Sequence, residues 1–527
     1  MSSISVLDCT LRDGGYCNNW DFGRDNIKKI IEHLSTARVD IIECGFLTRK
    51  ITFSFNKSKF NSIEQIEDCI PNSSQSMYVL MINYGEYNID DIPFSKETKI
   101  DGIRVVFHKN EAIDALLFCK NIIDKGYKCF VQPMLSQSYN DEEFINLIKE
   151  ANKLSPYSFY IVDSFGTMRN VDLLHYLILS DTFLDKRISI GFHSHNNLQL
   201  AFSNAKSFIE YPCKRNRIVD CSIYGMGRGA GNLNTELFLN ELNSVLRYEN
   251  DNSKYLIKPI LSVMDNILGK FYEHKPWGYS LANYLSAIQM IHPNYANFLY
   301  EKRTLQAQNI DEIFAIMDPV KKISFSKYYI SSLYTKYMSR NDNAKDDIES
   351  LLKLIDNREI LLIAPGKSLN KFKESIYKFI ENTNPVVISI NHINKEFKND
   401  FIFISNIRRF KQIENSLNSN VIKTSNIEYD GESFTINYSK LINDNELVQD
   451  NAGLMAISLV LNFLNKNSVY IAGMDGYSHE EDENYEFEEF SYKASNDYYD
   501  KLNNSMYKVI NNYRGKLNFI TPSLFCK

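Results

Sequence analysis

No stretch of this 527-residue sequence holds the roughly 20 consecutive uncharged apolar residues that a membrane-spanning helix needs. The opening segment "MSSISVLDCT" also lacks the positive start and apolar centre of a secretory signal, so a cytoplasmic protein is expected. The nine cysteines (Cys9, Cys17, Cys44, Cys69, Cys119, Cys129, Cys213, Cys221 and Cys526) are odd in number and form no CxxC pair. That excludes zinc fingers and a disulfide framework, and leaves thiols that act as small buried hydrophobes. A net charge of -6 with no basic run or stripe excludes a general polyanion binder, and nucleic acid with it. No internal repeat is found.

What is present is a composition of 44% hydrophobic and 24% charged residues, enough for sizeable cores. The length exceeds one ordinary core and predicts two domains with a connector. Through the first 230 residues apolar runs alternate with helical spacing: "ISVLDCT", "VDIIECGF", "MYVLMINY", "GIRVVFHK", "KCFVQPML", "FYIVDSFG", "ISIGFHSH" and "IVDCSIYG". Continuous apolar strands joined by helical crossovers mean a parallel sheet covered on both faces. These units match a (β/α)8 TIM barrel, with an open doubly wound sheet as the rival. The barrel reading covers 1–240, followed by a helical extension and connector over 241–357 and a Rossmann-like α/β domain over 358–527.

Polar residues gather at the C-terminal ends of the runs, where such barrels carry their active sites. Arg12 and Asp13 in "LDCTLRDGGYCNNWDF", Glu43, Asp163, His193 and His195 all lie there. In "GFHSHNN" the two histidines are two apart on a strand, so both imidazoles share one face, the barrel interior. Asp13 from the first strand adds a carboxylate. Two neutral nitrogens and one carboxylate hold a divalent metal and leave positions open for substrate.

"DCTLRDG", Glu43 in "IIECGF", "FHSHNN" and "GMGRGAGN" together resemble the DRE-TIM metallolyase superfamily, over about residues 4 to 300. Within it, "LRDGGYCNNWDF" and "HPNY" are most similar to 4-hydroxy-2-oxovalerate aldolases. The resemblance implies Mn or Mg on Asp13, His193 and His195, with Asn232 as a further ligand. It implies pyruvate or a related 2-oxo acid as one substrate and an aldehyde as the other, with a sugar-derived aldehyde in bacterial polysaccharide metabolism as one setting. Arg12 then stabilises the enolate and Glu43 orients Arg12. Tyr16 stands where many aldolases of this group carry a histidine base, which leaves the proton-transfer group open between Tyr16 and another residue. An acyl-CoA Claisen-type condensing enzyme and a silent barrel serving as a scaffold stay as alternatives. A homo-oligomer is expected.

From Glu359 a second strand series begins with "EILLIAPGKSL", a strand, a tight turn and a helix start. It is not a Walker A loop, because Leu361 occupies a required glycine position. This half resembles, diffusely, Rossmann-like domains of family 42 sialyltransferases and archaeal pterin diphosphokinases. The resemblance implies a nucleotide or nucleotide-sugar site, expected at Gly366, Lys367 and Ser368, where helix-start N–H groups and a lysine meet. The acidic run "HEEDENYEFEEF" reads as a solvated loop.

Overall fold

The computed structural model describes residues 3–245, 253–343, 345–417, 420–480, 484–486, 494 and 496–526, so most of the acidic run at 479–490 lies outside the described residues. Two compact units emerge, Met1–Asn297 and Phe298–Lys527. The helices between 241 and 357 divide between them. Among the described residues no helix is long and apolar enough to cross a membrane.

In the first unit the eight apolar runs are eight parallel strands: β1 (Ile4–Asp8), β2 (Ile41–Leu47), β3 (Met77–Asn83), β4 (Gly102–Phe107), β5 (Lys128–Pro133), β6 (Ser158–Asp163), β7 (Ser189–Ser194) and β8 (Arg217–Cys221). Each pairs with its sequence neighbour. β1 also pairs with β8 along Ile4↔Arg217 to Asp8↔Cys221 and with β2 at Leu7↔Ile41, which closes the sheet into a barrel. The short strand Lys59–Phe60 adds to the free end of β2.

The period of two along each strand sorts its side chains into two environments. Ile42 and Cys44 of β2, Ile103 and Val105 of β4, and Val219 and Cys221 of β8 face outward into the large core shared with the helices. Leu7, Ile41, Val79, Phe130, Tyr160, Val162 and Ile218 form a separate apolar plug. One step further along the same inward-facing rows, Glu43 follows Ile41 and Asp220 follows Ile218. The plug therefore ends in a charged layer toward the C-terminal mouth.

The helix Asp141–Leu154 shows how the outer ring is specified. Phe144, Leu147, Ile148 and Ala151 make its buried stripe, and Asn140 and Glu143 exchange backbone hydrogen bonds of 2.9 and 2.8 Å in a capping box. The crossovers β2–β3 and β3–β4 depart from the expected alternation. In place of helices they carry three-residue 3₁₀ turns such as Ile63–Gln65 and Ile89–Asp91, because "IPNSSQS" and "DIPF" put proline and serine where a helix would propagate.

The second unit holds an open, fully parallel sheet of β9 (Ile360–Ile363), β10 (Val386–Ile390), β11 (Phe401–Ile404), β12 (Asn420–Thr424), β13 (Ser433–Ile436), β14 (Val469–Ala472) and β15 (Leu517–Phe519), in the order β13-β12-β11-β10-β9-β14-β15. β13 is an edge strand, and only Ile436 of its residues is fully buried. The chain winds from β9 toward β10 on one side and returns to β14 on the other. β9 thus marks the topological switch, and its C-terminal end opens a crevice.

Candidate metal centre

The two glycines after Arg12 and Asp13 are steric necessities. A Cβ on Gly14 would lie 2.3 Å from the Thr10 carbonyl oxygen, and one on Gly15 would lie 2.1 Å from the Trp20 indole. The tight turn, pinned by the Trp20 Nε1–H donating to the Arg12 carbonyl at 2.7 Å, buries both Arg12 and Asp13 at the barrel mouth. Across the mouth, His193 near the end of β7 and His195 just past it have ring centroids 5.2 Å apart. Asp13, His193 and His195 each offer a ligand atom within 4.8 Å of the others, and all three are buried.

Beneath them runs a chain of alternating charges. Arg12 donates to Asp13 at 2.6 Å and to Glu43 at 2.8 Å. Glu43 also pairs with Arg104 at 2.9 Å. Arg104 pairs in turn with Asp220, which takes the Tyr160 hydroxyl at 3.0 Å and faces Nδ1 of His193 at 2.9 Å. Burial alone would raise the Asp13 carboxyl, but Arg12, His195, His193 and Arg228 hold it well below the usual carboxylate range. The same contest at Asp220, burial against Arg104 and His193, also ends in a lowered carboxyl. Burial pushes the His195 imidazole down to about 3, against the pull of Asp13. A neutral imidazole between carboxylates is the form that binds metal.

The residues present fit a divalent cation. Three carboxylates, Asp13, Glu43 and Asp220, stand against two guanidiniums, Arg12 and Arg104, in a buried layer. Nδ1 of His195 and Oδ1 of Asn232 are buried with no hydrogen-bond partner, and both atom types are metal donors. Asn232 also donates to Asp13 Oδ2 at 2.7 Å. Gly227 keeps this space open, because a Cβ there would lie 2.3 Å from Asn232 Nδ2 and 2.6 Å from Asp13 Oδ2.

The residues expected from the sequence, Arg12, Asp13, Glu43, His193, His195 and Asn232, thus meet at one end of the barrel. Tyr16 lies at the rim, 41% exposed, edge-on to Trp20 at 4.6 Å. Asp163 serves its own loop: its carboxylate accepts the Thr167 and Met168 N–H groups at 2.9 and 3.2 Å, and only its carbonyl meets His195. Arg104, Tyr160 and Asp220 were not singled out from the sequence. Their signal is a lone polar residue on the inward-facing row of an apolar strand, as in "GIRVVF" and "RIVDC".

In the second unit, Gly366 packs against β14's following turn, where a Cβ would lie 2.2 Å from the Gly473 carbonyl oxygen. The Ser368 N–H donates to Asp475 at 2.8 Å and its hydroxyl donates to the same carboxylate at 2.5 Å. Gly366 lines a cavity of about 280 Å³, whereas Lys367 and Ser368 do not.

A family model described as HMGL-like matches residues 3–267. The 4-hydroxy-2-oxovalerate aldolase of Geobacillus genomosp. 3 is 26% identical over 268 residues, which span 49% of this chain and 78% of that protein. The 4-hydroxy-2-oxovalerate aldolase 2 of Comamonas testosteroni is 26% identical over 243 residues, 45% of this chain and 67% of that protein. Among solved structures, the N-terminal domain of a candidate aldolase from Bacteroides vulgatus is 24% identical, with a TM-score of 0.48 over 56% of this chain and 96% of that one.

Asp220→Asn keeps the shape of the group behind His193 and removes its charge. Its affinity for Mn, measured by calorimetry on metal-stripped protein, is expected to fall about 10–100-fold. An unchanged affinity would show that Asp220 does not support the centre.

Proposed function

The chain belongs to the HMGL-like family, and on that premise we propose that its barrel is a divalent-metal-dependent aldolase joining or splitting pyruvate, or a related 2-oxo acid, and an aldehyde. The observation that carries this reading is the buried trio Asp13, His193 and His195 beside an arginine already held on two sides. Asp13, His193 and His195 would hold Mn or Mg, with the Asn232 amide oxygen as a further donor. When bound, the cation polarises the keto oxygen of the 2-oxo acid as a Lewis acid.

The chain's own residues supply the rest. The Arg12 guanidinium is locked by Asp13 and Glu43, so it meets negative charge growing on the keto oxygen without reorganising. Arg104 anchors Glu43 from behind. Tyr16 presents a phenol at the rim as proton donor to the aldehyde oxygen. A methyl proton passes from the 2-oxo acid to solvent, that carbon bonds to the aldehyde carbonyl carbon, and the aldehyde oxygen takes the Tyr16 proton, which solvent then replaces. The sum is an addition with no leaving group and no redox partner, and cleavage is its reverse.

Protein loaded with Mn or Mg is expected to exchange pyruvate methyl protons for deuterium without any aldehyde, followed by proton NMR. Arg12→Ala should keep metal and lose about 10²–10³-fold in exchange rate, while His193→Ala should lose the metal itself. No exchange in metal-loaded wild type would overturn the aldolase reading. Release of free thiol from an acyl-CoA with a 2-oxo acid would favour Claisen chemistry instead.

For the second unit we propose a nucleotide site, for a cytidine or uridine form, in the crevice at the switch point of its sheet. Support comes from the cavity, walled by Gly366 after β9, Asn391 after β10, Arg408 after β11 and Asp475 after β14. Asp475 already occupies the Ser368 N–H, so the ligand is placed in the cavity with Gly366 at its wall rather than on the helix start. An aldolase unit carried on the same chain as such a site supports a sugar-derived aldehyde. Calorimetry of the full chain against cytidine, uridine, adenosine and guanosine phosphates should show a pyrimidine form binding and Gly366→Val abolishing it. No binding by any of them at millimolar concentration overturns the site.

A further inference from the structure

The glycine-rich loop after β8 carries one charged side chain, Arg228, whose placement the reaction described above does not use. Its backbone is rigidly held: the Arg228 N–H donates to Asp13 Oδ2 at 3.3 Å, and the Ala230 N–H donates to Asn197 Oδ1 at 2.7 Å. Gly229, at φ +67°, admits that asparagine, since a Cβ there would lie 2.5 Å from its Oδ1. From this base the side chain crosses the mouth. Its Nη2 donates to the Ser164 carbonyl beyond β6 at 2.7 Å, and its guanidinium carbon sits 5.7 Å from the Tyr16 ring centroid.

Arg228 makes no direct ion pair among the described residues. Among the described residues no carboxylate oxygen lies within ion-pairing distance of its guanidinium, and its Nε is buried without a hydrogen-bond acceptor. The Asp13 side chain is committed to Arg12 through Oδ1 and to Asn232 through Oδ2. His292 also stands near this cation, against Phe165, and burial, with Arg228 and His108 adding to it, pushes its imidazole down to about 3, so it stands neutral. A buried, unsatisfied guanidinium donor at the barrel mouth calls for an acceptor on the substrate.

Resting on the aldolase reading, we propose that Arg228 is a specificity-determining residue that binds an anionic group, carboxylate or phosphate, on the aldehyde partner. The 2-oxo acid's own carboxylate belongs deeper, between the trio and Arg12. The Arg228 backbone N–H meets Asp13 at the carboxylate oxygen that Arg12 does not use, and its guanidinium faces the exposed Tyr16 ring, whose phenol is assigned above to the aldehyde oxygen.

The test compares kcat/KM for pyruvate addition to propionaldehyde, succinic semialdehyde and glyceraldehyde 3-phosphate in the metal-loaded full chain. Wild type is expected to favour at least one anionic aldehyde over the neutral one by about 10–100-fold, and the two anionic arms separate carboxylate from phosphate. Arg228→Met should bring that ratio near one through a raised KM for the anionic aldehyde, and Arg228→Lys should restore part of it. A merely structural role would lower all three substrates together and leave the ratio intact, which overturns the proposal, as does a wild type with no anionic preference. Absence of pyruvate deuterium exchange in wild type overturns the aldolase reading and this inference with it, whereas exchange with equal use of the three aldehydes overturns this inference alone.

Discussion

The barrel's charged layer rests on one interaction, the buried bridge in which Glu43 holds both Arg12 and Arg104 through its Oε2. Through Arg12 it reaches Asp13, and through Arg104 it reaches Asp220 and the back of His193. Each of these charges is out of water, so each needs its neighbour. Leaving one partnerless in such a setting costs about 3–5 kcal/mol. The layer therefore either persists whole or fails whole, and this gives the ligand atoms fixed positions before any cation arrives.

That rigidity is inherited from the strands. β2, β4 and β8 each contribute one charged residue on the inward row directly beyond an apolar plug, and the plug keeps water from the underside of the network. The result separates two tasks. Asp13, His193 and His195 bring candidate ligand atoms together at the mouth, while Glu43, Arg104, Tyr160 and Asp220 face one another and set orientation. A surplus of carboxylate over guanidinium in this layer makes a divalent cation the natural complement.

Much of this was legible in the sequence, for physical reasons. Eight apolar runs could only be buried strands, and a histidine pair two apart on a strand had to share a face, so the trio could be named. The family resemblance of "DCTLRDG" and "FHSHNN" is matched by the HMGL-like model over residues 3–267. Arg104 and Asp220 stayed hidden because a single charge in an apolar run does not declare its partner, and theirs lie on strands more than a hundred residues apart, at a separation of 116. The capture of the Ser368 N–H by Asp475, 107 residues later, was hidden for the same reason. Edge strand β13 escaped because a half-buried edge needs little hydrophobicity.

The central claim is that the charged layer presents one preorganised cation site at the barrel mouth. The most direct measurement is Mn titrated into the metal-stripped full chain, followed by electron paramagnetic resonance with and without pyruvate. The account predicts one tight Mn per chain, a spectrum that changes when pyruvate is added, and loss of that site in His195→Ala. Mn binding that persists unchanged in His195→Ala, or a spectrum indifferent to pyruvate, would contradict it.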